Sequence, residues 1–174
     1  PDRGRIELDG ELLFDSGAGV DLPPKKRRVG FLFQHYALFP NMTVERNIAV
    51  CLGHLDKRRR RRRTEELLAM LRLEGLGNLY PRQLSGGQQQ RTALARILAA
   101  EPQAILLDEP LSALDSFLKW QLELELREVL DRFPGPVLWV SHDRGEVYRN
   151  CPRVCVLDRG RSAPAMDMKA LMAN

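Results

Sequence analysis

Hydrophobic and polar positions fall in short blocks along this chain, and their period changes from two to about 3.6 and back again. Arg5 to Leu8 and Glu11 to Phe14 are apolar-rich runs split by Asp9-Gly10, a pair that tolerates positive φ, so a hairpin is predicted. Asp15 to Arg28 is rich in Gly, Pro and charge and reads as loop. Val29 to Phe33 is a compact apolar strand that ends at Gln34. Thr43 to Leu52 and Thr64 to Leu73 carry helical spacing, with Thr64 as the expected cap of the second and Leu67, Met70 and Leu71 as its apolar stripe. After Leu84-Ser85-Gly86-Gly87-Gln88 a strongly helical stretch runs to Ala100, with Ala93, Leu94, Ile97 and Leu98 at core spacing.

The second half repeats the alternation. Ala104 to Leu107 is wholly apolar, as expected of a strand covered on both faces of a parallel sheet, and it terminates in Asp108-Glu109-Pro110. Ser112 to Phe133 is a predicted long helix with Leu126, Val129, Leu130 and Phe133 on one side, stopped by Pro134-Gly135-Pro136. Val137 to Val140 is a strand leading into Ser141-His142-Asp143. After a short helix, Val154 to Leu157 closes the series of strands before Asp158-Arg159-Gly160 turns the chain. Strand and helix alternate, which predicts an α/β fold with a mostly parallel sheet and flanking helices. Ligands of such sheets lie beyond the carboxyl ends of the strands, so Gln34, Asp108, Glu109 and His142 are expected to share one site.

Composition narrows the class. A 44% hydrophobic, 29% charged chain of 174 residues fits one globular domain rather than a fibre or a disordered tail. Its apolar runs fall far below the roughly 18 residues needed to cross a bilayer, and Pro1 is followed by charge rather than an apolar leader, so a cytoplasmic location is expected. Cys51, Cys151 and Cys155 have no C-x-x-C spacing, and neither a disulfide frame nor a zinc site is expected. The net charge of +4 is local: Lys57 to Arg63 supply seven cations, and the remainder holds 20 basic against 23 acidic residues. No general basic face remains, so nucleic acid is not an expected partner. The run itself reads as a solvated helix face or loop, with phosphate or anionic-lipid contact as the alternative, and mutual repulsion should make it the least ordered segment.

Two motifs carry chemistry. A strand-end aspartate and glutamate suit a magnesium phosphoryl site, Asp108 as metal anchor and Glu109 as the group that polarises a water; the same pair also caps loops. In Leu84 to Gln88, two glycines let backbone N–H groups approach an anion, Ser85 adds a hydroxyl, and the following helix supplies a positive dipole end. An ordinary serine N-cap with a glycine-rich entry has the same appearance.

Taken in order, Gln34 after a strand, LSGGQ at 84–88, ILLDEP at 105–110, SALD at 112–115 and SHD at 141–143 resemble the Q-loop, signature, Walker B, D-loop and H-loop of the ATP-binding cassette (ABC) family. The resemblance implies a P-loop NTPase-like ABC ATPase core, with residues 40–100 as a helical, signature-bearing subdomain, and binding of ATP and Mg²⁺. It implies that Asp108 and Gln34 hold the metal, that Glu109 is the catalytic base, and that His142 contacts the γ-phosphate. Gln34 would also reach the attacking water. Ser85, Gly86, Gly87 and Gln88 would bind the γ-phosphate of ATP held by a second subunit in a head-to-tail homodimer, with Asp115 at the seam. The 22–30 and 34–40 segments look like importer subunits for molybdate or sulfate. Such a subunit docks on a transmembrane permease at the inner face of the membrane and touches no solute.

The sequence contains no G-x-x-x-x-G-K-[S/T], and Pro1 is not a methionine, so a chain truncated at its amino terminus, unable to grip ATP unaided, is expected. Loss of the central strand predicts unpaired sheet edges and poor solubility. Two rival readings are a degenerate cassette that completes a partner's site without hydrolysis, and a non-transport ABC protein.

Overall fold

A computed structural model describes residues 1–112 and 116–168 of the protein. The predicted hairpin is β1 (Arg5–Leu8) against β2 (Glu11–Asp15), closed by Asp9 at φ 49° and Gly10 at φ 82°. The expected loop that follows contains a strand: Asp15 Oδ1 accepts from the N–H groups of Gly17 and Ala18 and folds the chain back, so that β3 (Val20–Asp21) pairs with β2.

The main sheet has the parallel order β4–β5–β6, formed by Val29–Leu32, Ala104–Asp108 and Val137–Val140. Helices α1 (Val44–Ala49), α2 (Lys57–Met70), α3 (Gly86–Ala99), α4 (Ser116–Leu130) and α5 (Arg144–Asn150) follow or interleave. Leu32, Ile105 and Leu107 of the sheet share one buried cluster with Ile48, Leu67, Leu94 and Leu122 of four helices. β4 and α3 approach closely because Gly30 has no side chain: a Cβ there would lie 2.3 Å from Ile97 Cγ2.

Three expectations about α2 change. The arginine run is not the least ordered segment; it forms the first two turns of α2. Asp56 rather than Thr64 caps this helix, accepting from the N–H groups of Arg58 and Arg59, while Thr64 is buried inside it and donates to Arg60 O. Arg61–Glu65 at 2.8 Å and Arg62–Glu66 at 3.0 Å are exposed i,i+4 pairs that offset a small part of the repulsion. Met70, expected in the apolar stripe, is exposed.

The strand expected over 154–157 does not join the parallel sheet. It divides into β7 (Arg153–Val154) and β8 (Leu157–Asp158), which pair antiparallel with β10 (Met166–Asp167) and β9 (Arg161–Ser162). Arg159 at φ 46° and Gly160 at φ 76° make the β8–β9 turn. A groove of about 790 Å³ separates this region from the outer edge of β6 and is lined by Val137, Trp139, Val140, Val154, Cys155 and Leu157, among others. Leu138 at 58% and Leu157 at 72% exposure mark it as an open apolar edge.

Candidate functional site

The parallel register puts Asp108, the last residue of β5, beside Val140, the last of β6. Glu109 then adopts φ 46°, a left-handed conformation uncommon for a residue with a side chain, and its N–H donates to Val140 O at 2.9 Å. That turn aims its carboxylate toward the next strand end, where His142 Nδ1 lies 2.8 Å from Glu109 Oε1. An ionised carboxylate can only accept, so Nδ1 is the donor. Ser112 Oγ donates to Glu109 O at 3.0 Å, and Gln34 Nε2 donates to Ser112 Oγ at 3.4 Å. Gln34, Ser112, Glu109 and His142 thus form one hydrogen-bonded chain across the ends of β4, β5 and β6. Glu109 is half-buried while the His142 side chain is 75% exposed, so the chain faces solvent.

Supporting contacts hold each loop. Beyond Gln34, Tyr36 and Ala37 have positive φ. Arg96 of α3 clasps them, donating to Ala37 O at 2.6 Å and Tyr36 O at 3.3 Å, with its guanidinium 5.2 Å from the Phe39 ring centre. Asn47, fully buried in α1, accepts from Phe39 N–H and donates to the carbonyls of Phe39, Met42 and Thr43. On the other side, Ser141 donates to the buried carboxylate of Glu146, and Asp143 caps α5 through the N–H groups of Gly145 and Glu146. Lys119 reaches Asp143 at 2.6 Å; it and the capping N–H groups hold that carboxyl down at about 2. Arg149, bonded to Glu123 at 2.7 and 2.8 Å, and Asn150 at 2.8 Å keep Glu123 ionised below the usual carboxylate range against the effect of burial. α4 therefore fixes α5, and α5 fixes the turn that carries His142.

The glycine-rich motif is a helix entry. Ser85 Oγ accepts from Gln88 N–H at 3.3 Å and Gln88 Oε1 accepts from Ser85 N–H at 2.9 Å, a reciprocal capping box. Gly86 and Gly87 open α3, and a Cβ on Gly87 would lie 2.9 Å from Leu122 Cδ1. Packing against α4 is therefore close at 87, and a Cβ there would have to displace the end of the Leu122 side chain. The hydrogen bonds of Ser85 and Gln88 close on one another, apart from the Gln34–His142 chain.

The structure thus brings Gln34, Glu109 and His142 together, puts Asp108 at the same strand end, and sets Ser85, Gly86, Gly87 and Gln88 in a second group. Asp115 lies outside the described residues. Sequence reasoning did not single out Ser112, Lys119, Glu123 or Glu146 as site supports; a buried carboxylate such as Glu146 has no signature along the chain. Among the described residues no three His, Cys, Asp or Glu side chains cluster as a metal cage. A Mg²⁺ ion would suit Asp108 and Gln34, hard oxygen donors, only with substrate oxygens completing its shell.

A parallel α/β sheet with carboxylates and a histidine at adjacent strand ends, and a separate LSGGQ helix entry, is the arrangement expected of the ATP-binding cassette class. The family described as "ABC transporter" matches residues 1–112. The chain is 38% identical over 174 residues to "Molybdenum import ATP-binding protein ModC" of Paramagnetospirillum magneticum, covering 100% of this chain and 48% of that protein. It is 45% identical over 167 residues to "Sulfate/thiosulfate import ATP-binding protein CysA" of Caulobacter vibrioides, covering 92% and 48%. The dimeric, post-hydrolysis structure of the ATP-binding cassette MJ0796 bound to ADP and Pi superposes with a TM-score of 0.75 at 32% identity, over 97% of this chain and 75% of that one. The chain belongs to the ABC transporter family, and it spans about half the length of the curated relatives it matches.

Proposed function

We propose that the protein is the ATP-hydrolysing subunit of an ABC importer, coupling hydrolysis of ATP to uptake of a solute. The Glu109–His142 hydrogen bond at 2.8 Å, beside Gln34, carries this reading. Glu109 is the base that takes a proton from the attacking water. His142, when protonated on both ring nitrogens, donates through Nδ1 to Glu109 and through Nε2 to the γ-phosphate. Gln34 turns toward the same water. Asp108 and Gln34 hold Mg²⁺, which neutralises phosphate charge when bound.

Ser85, Gly86, Gly87 and Gln88 serve a second copy of the chain: the first N–H groups of α3 lack intrahelical acceptors and suit a terminal phosphate. A head-to-tail dimer, with Asp115 at its seam, follows from that arrangement. Residues 40–100 act as a helical unit that meets the permease at the inner face of the membrane. The likeness to molybdenum and sulfate import subunits supports an inorganic oxyanion as the solute. The groove beside β6 has room for one more strand, and a strand–loop–helix unit from outside these 174 residues would bring a phosphate-binding loop next to His142.

The test is hydrolysis by the full-length protein. Glu109→Gln should lower turnover by about 10²–10⁴-fold and leave ATP binding in place. Unchanged turnover would remove Glu109 from its role.

A further inference from the structure

Cationic side chains are electrostatically misplaced at the start of a helix, where unpaired N–H groups already carry partial positive charge. α2 opens with seven in succession, Lys57 to Arg63, and has no acidic residue in its first turn. Three carboxylates, Asp56, Glu65 and Glu66, pair with some of them, and Glu66 is shared by Arg62 and Arg63. Arg60 turns inward to Leu55 O. Arg59, Arg61 and Arg62 stand 79%, 78% and 84% exposed, and Arg58 is exposed beside them. At about 100° per residue these four side chains fall within an arc of about 160°, on one side of little more than one turn. Helix stability does not account for the pattern, since acidic residues are favoured at this end.

We propose that this face of α2 binds the anionic headgroup surface of a membrane. The excess positive charge is confined to the first two turns of α2, because the rest of the chain is slightly acidic. It is a compact patch suited to a plane of phosphates rather than a groove that tracks a strand. Residues 53–66 contain no Phe, Tyr or Trp, so bases have no stacking platform there. Six of the seven cations are arginine, whose planar fork pairs bidentately with phosphate oxygens. The exposed pairs with Glu65 and Glu66 contribute little and exchange readily for a phosphate partner. The inference rests on the importer reading only for the presence of a membrane, and vesicle binding is read without nucleotide, so either can fail alone.

The experiment is flotation of the full-length protein, which separates bound protein from aggregates, with vesicles of phosphatidylcholine alone, or with about one-third phosphatidylglycerol, at low and high salt. Binding only to the anionic vesicles, lost at high salt, is expected. The triple variant Arg58→Gln, Arg59→Gln, Arg62→Gln should weaken partitioning on the order of 100-fold, about five-fold per charge. The corresponding triple lysine variant should retain most of it. A control with Arg3, Lys25 and Lys26 changed to Gln removes equal charge elsewhere and should bind nearly as the parent does. Equal binding to neutral vesicles, equal loss in the control, an unaffected α2 variant, or tighter binding to a single-stranded RNA would each overturn the proposal.

Discussion

At the residue scale, the site depends on side chains whose partners lie far away in sequence. Asp143 is one: it caps α5 and pairs with Lys119 of α4. Its carboxyl stands at about 2, below the ordinary 3.8. A depressed acid stabilises the fold in its ionised form, so the contribution is complete above its unfolded pKa near 4 and fades as pH falls toward 2. Asp143→Ala should therefore cost about 1 kcal/mol at neutral pH, as loss of a cap does, and the difference from the parent should vanish near pH 2. Urea unfolding of both proteins across that range measures it. The strand-end residues Gln34, Asp108, Glu109 and His142 were legible in the sequence because each lies within two residues of the end of an apolar run. Ser112 and Glu146 were not, because a hydroxyl or carboxylate in a turn reveals its partner only when the turn is closed.

At the element scale, most helices and strands follow from local pattern, and the exceptions have local causes. α2 starts seven residues before Thr64, where its helical spacing was expected to begin, since Asp56 caps it and Glu65 and Glu66 partly offset the arginine repulsion. β3 forms because Asp15 turns the chain onto β2. Contact between elements brings its own constraint, as at Gly30, where β4 meets Ile97 of α3. Gly30→Ala should destabilise the protein by about 1–3 kcal/mol through overpacking, measured by denaturant unfolding. Adding Ile97→Ala should relieve the clash, so the double variant loses less than the sum of the singles. Additive losses would mean that the neighbours shift instead.

At the scale of the whole molecule, β6 is the outer strand of the main sheet among the described residues, and its edge borders an apolar groove. Exposed strand edges with apolar side chains pair with other chains. The 174-residue chain studied alone should self-associate as its concentration rises, seen as a growing mass in light scattering. Leu138→Lys should reduce that association, and a monodisperse parent would count against it. By itself the sequence determined the α/β alternation, the parallel sheet, the turn at Asp9-Gly10 and the strand-end residues, because each is written in the period of apolar side chains or in the φ that a turn demands. Only the tertiary structure decided that Ser112 joins Gln34 to Glu109, that Gly87 packs against Leu122, and that 153–158 leaves the main sheet. Those outcomes depend on which surfaces meet, and contact between distant segments carries no local period.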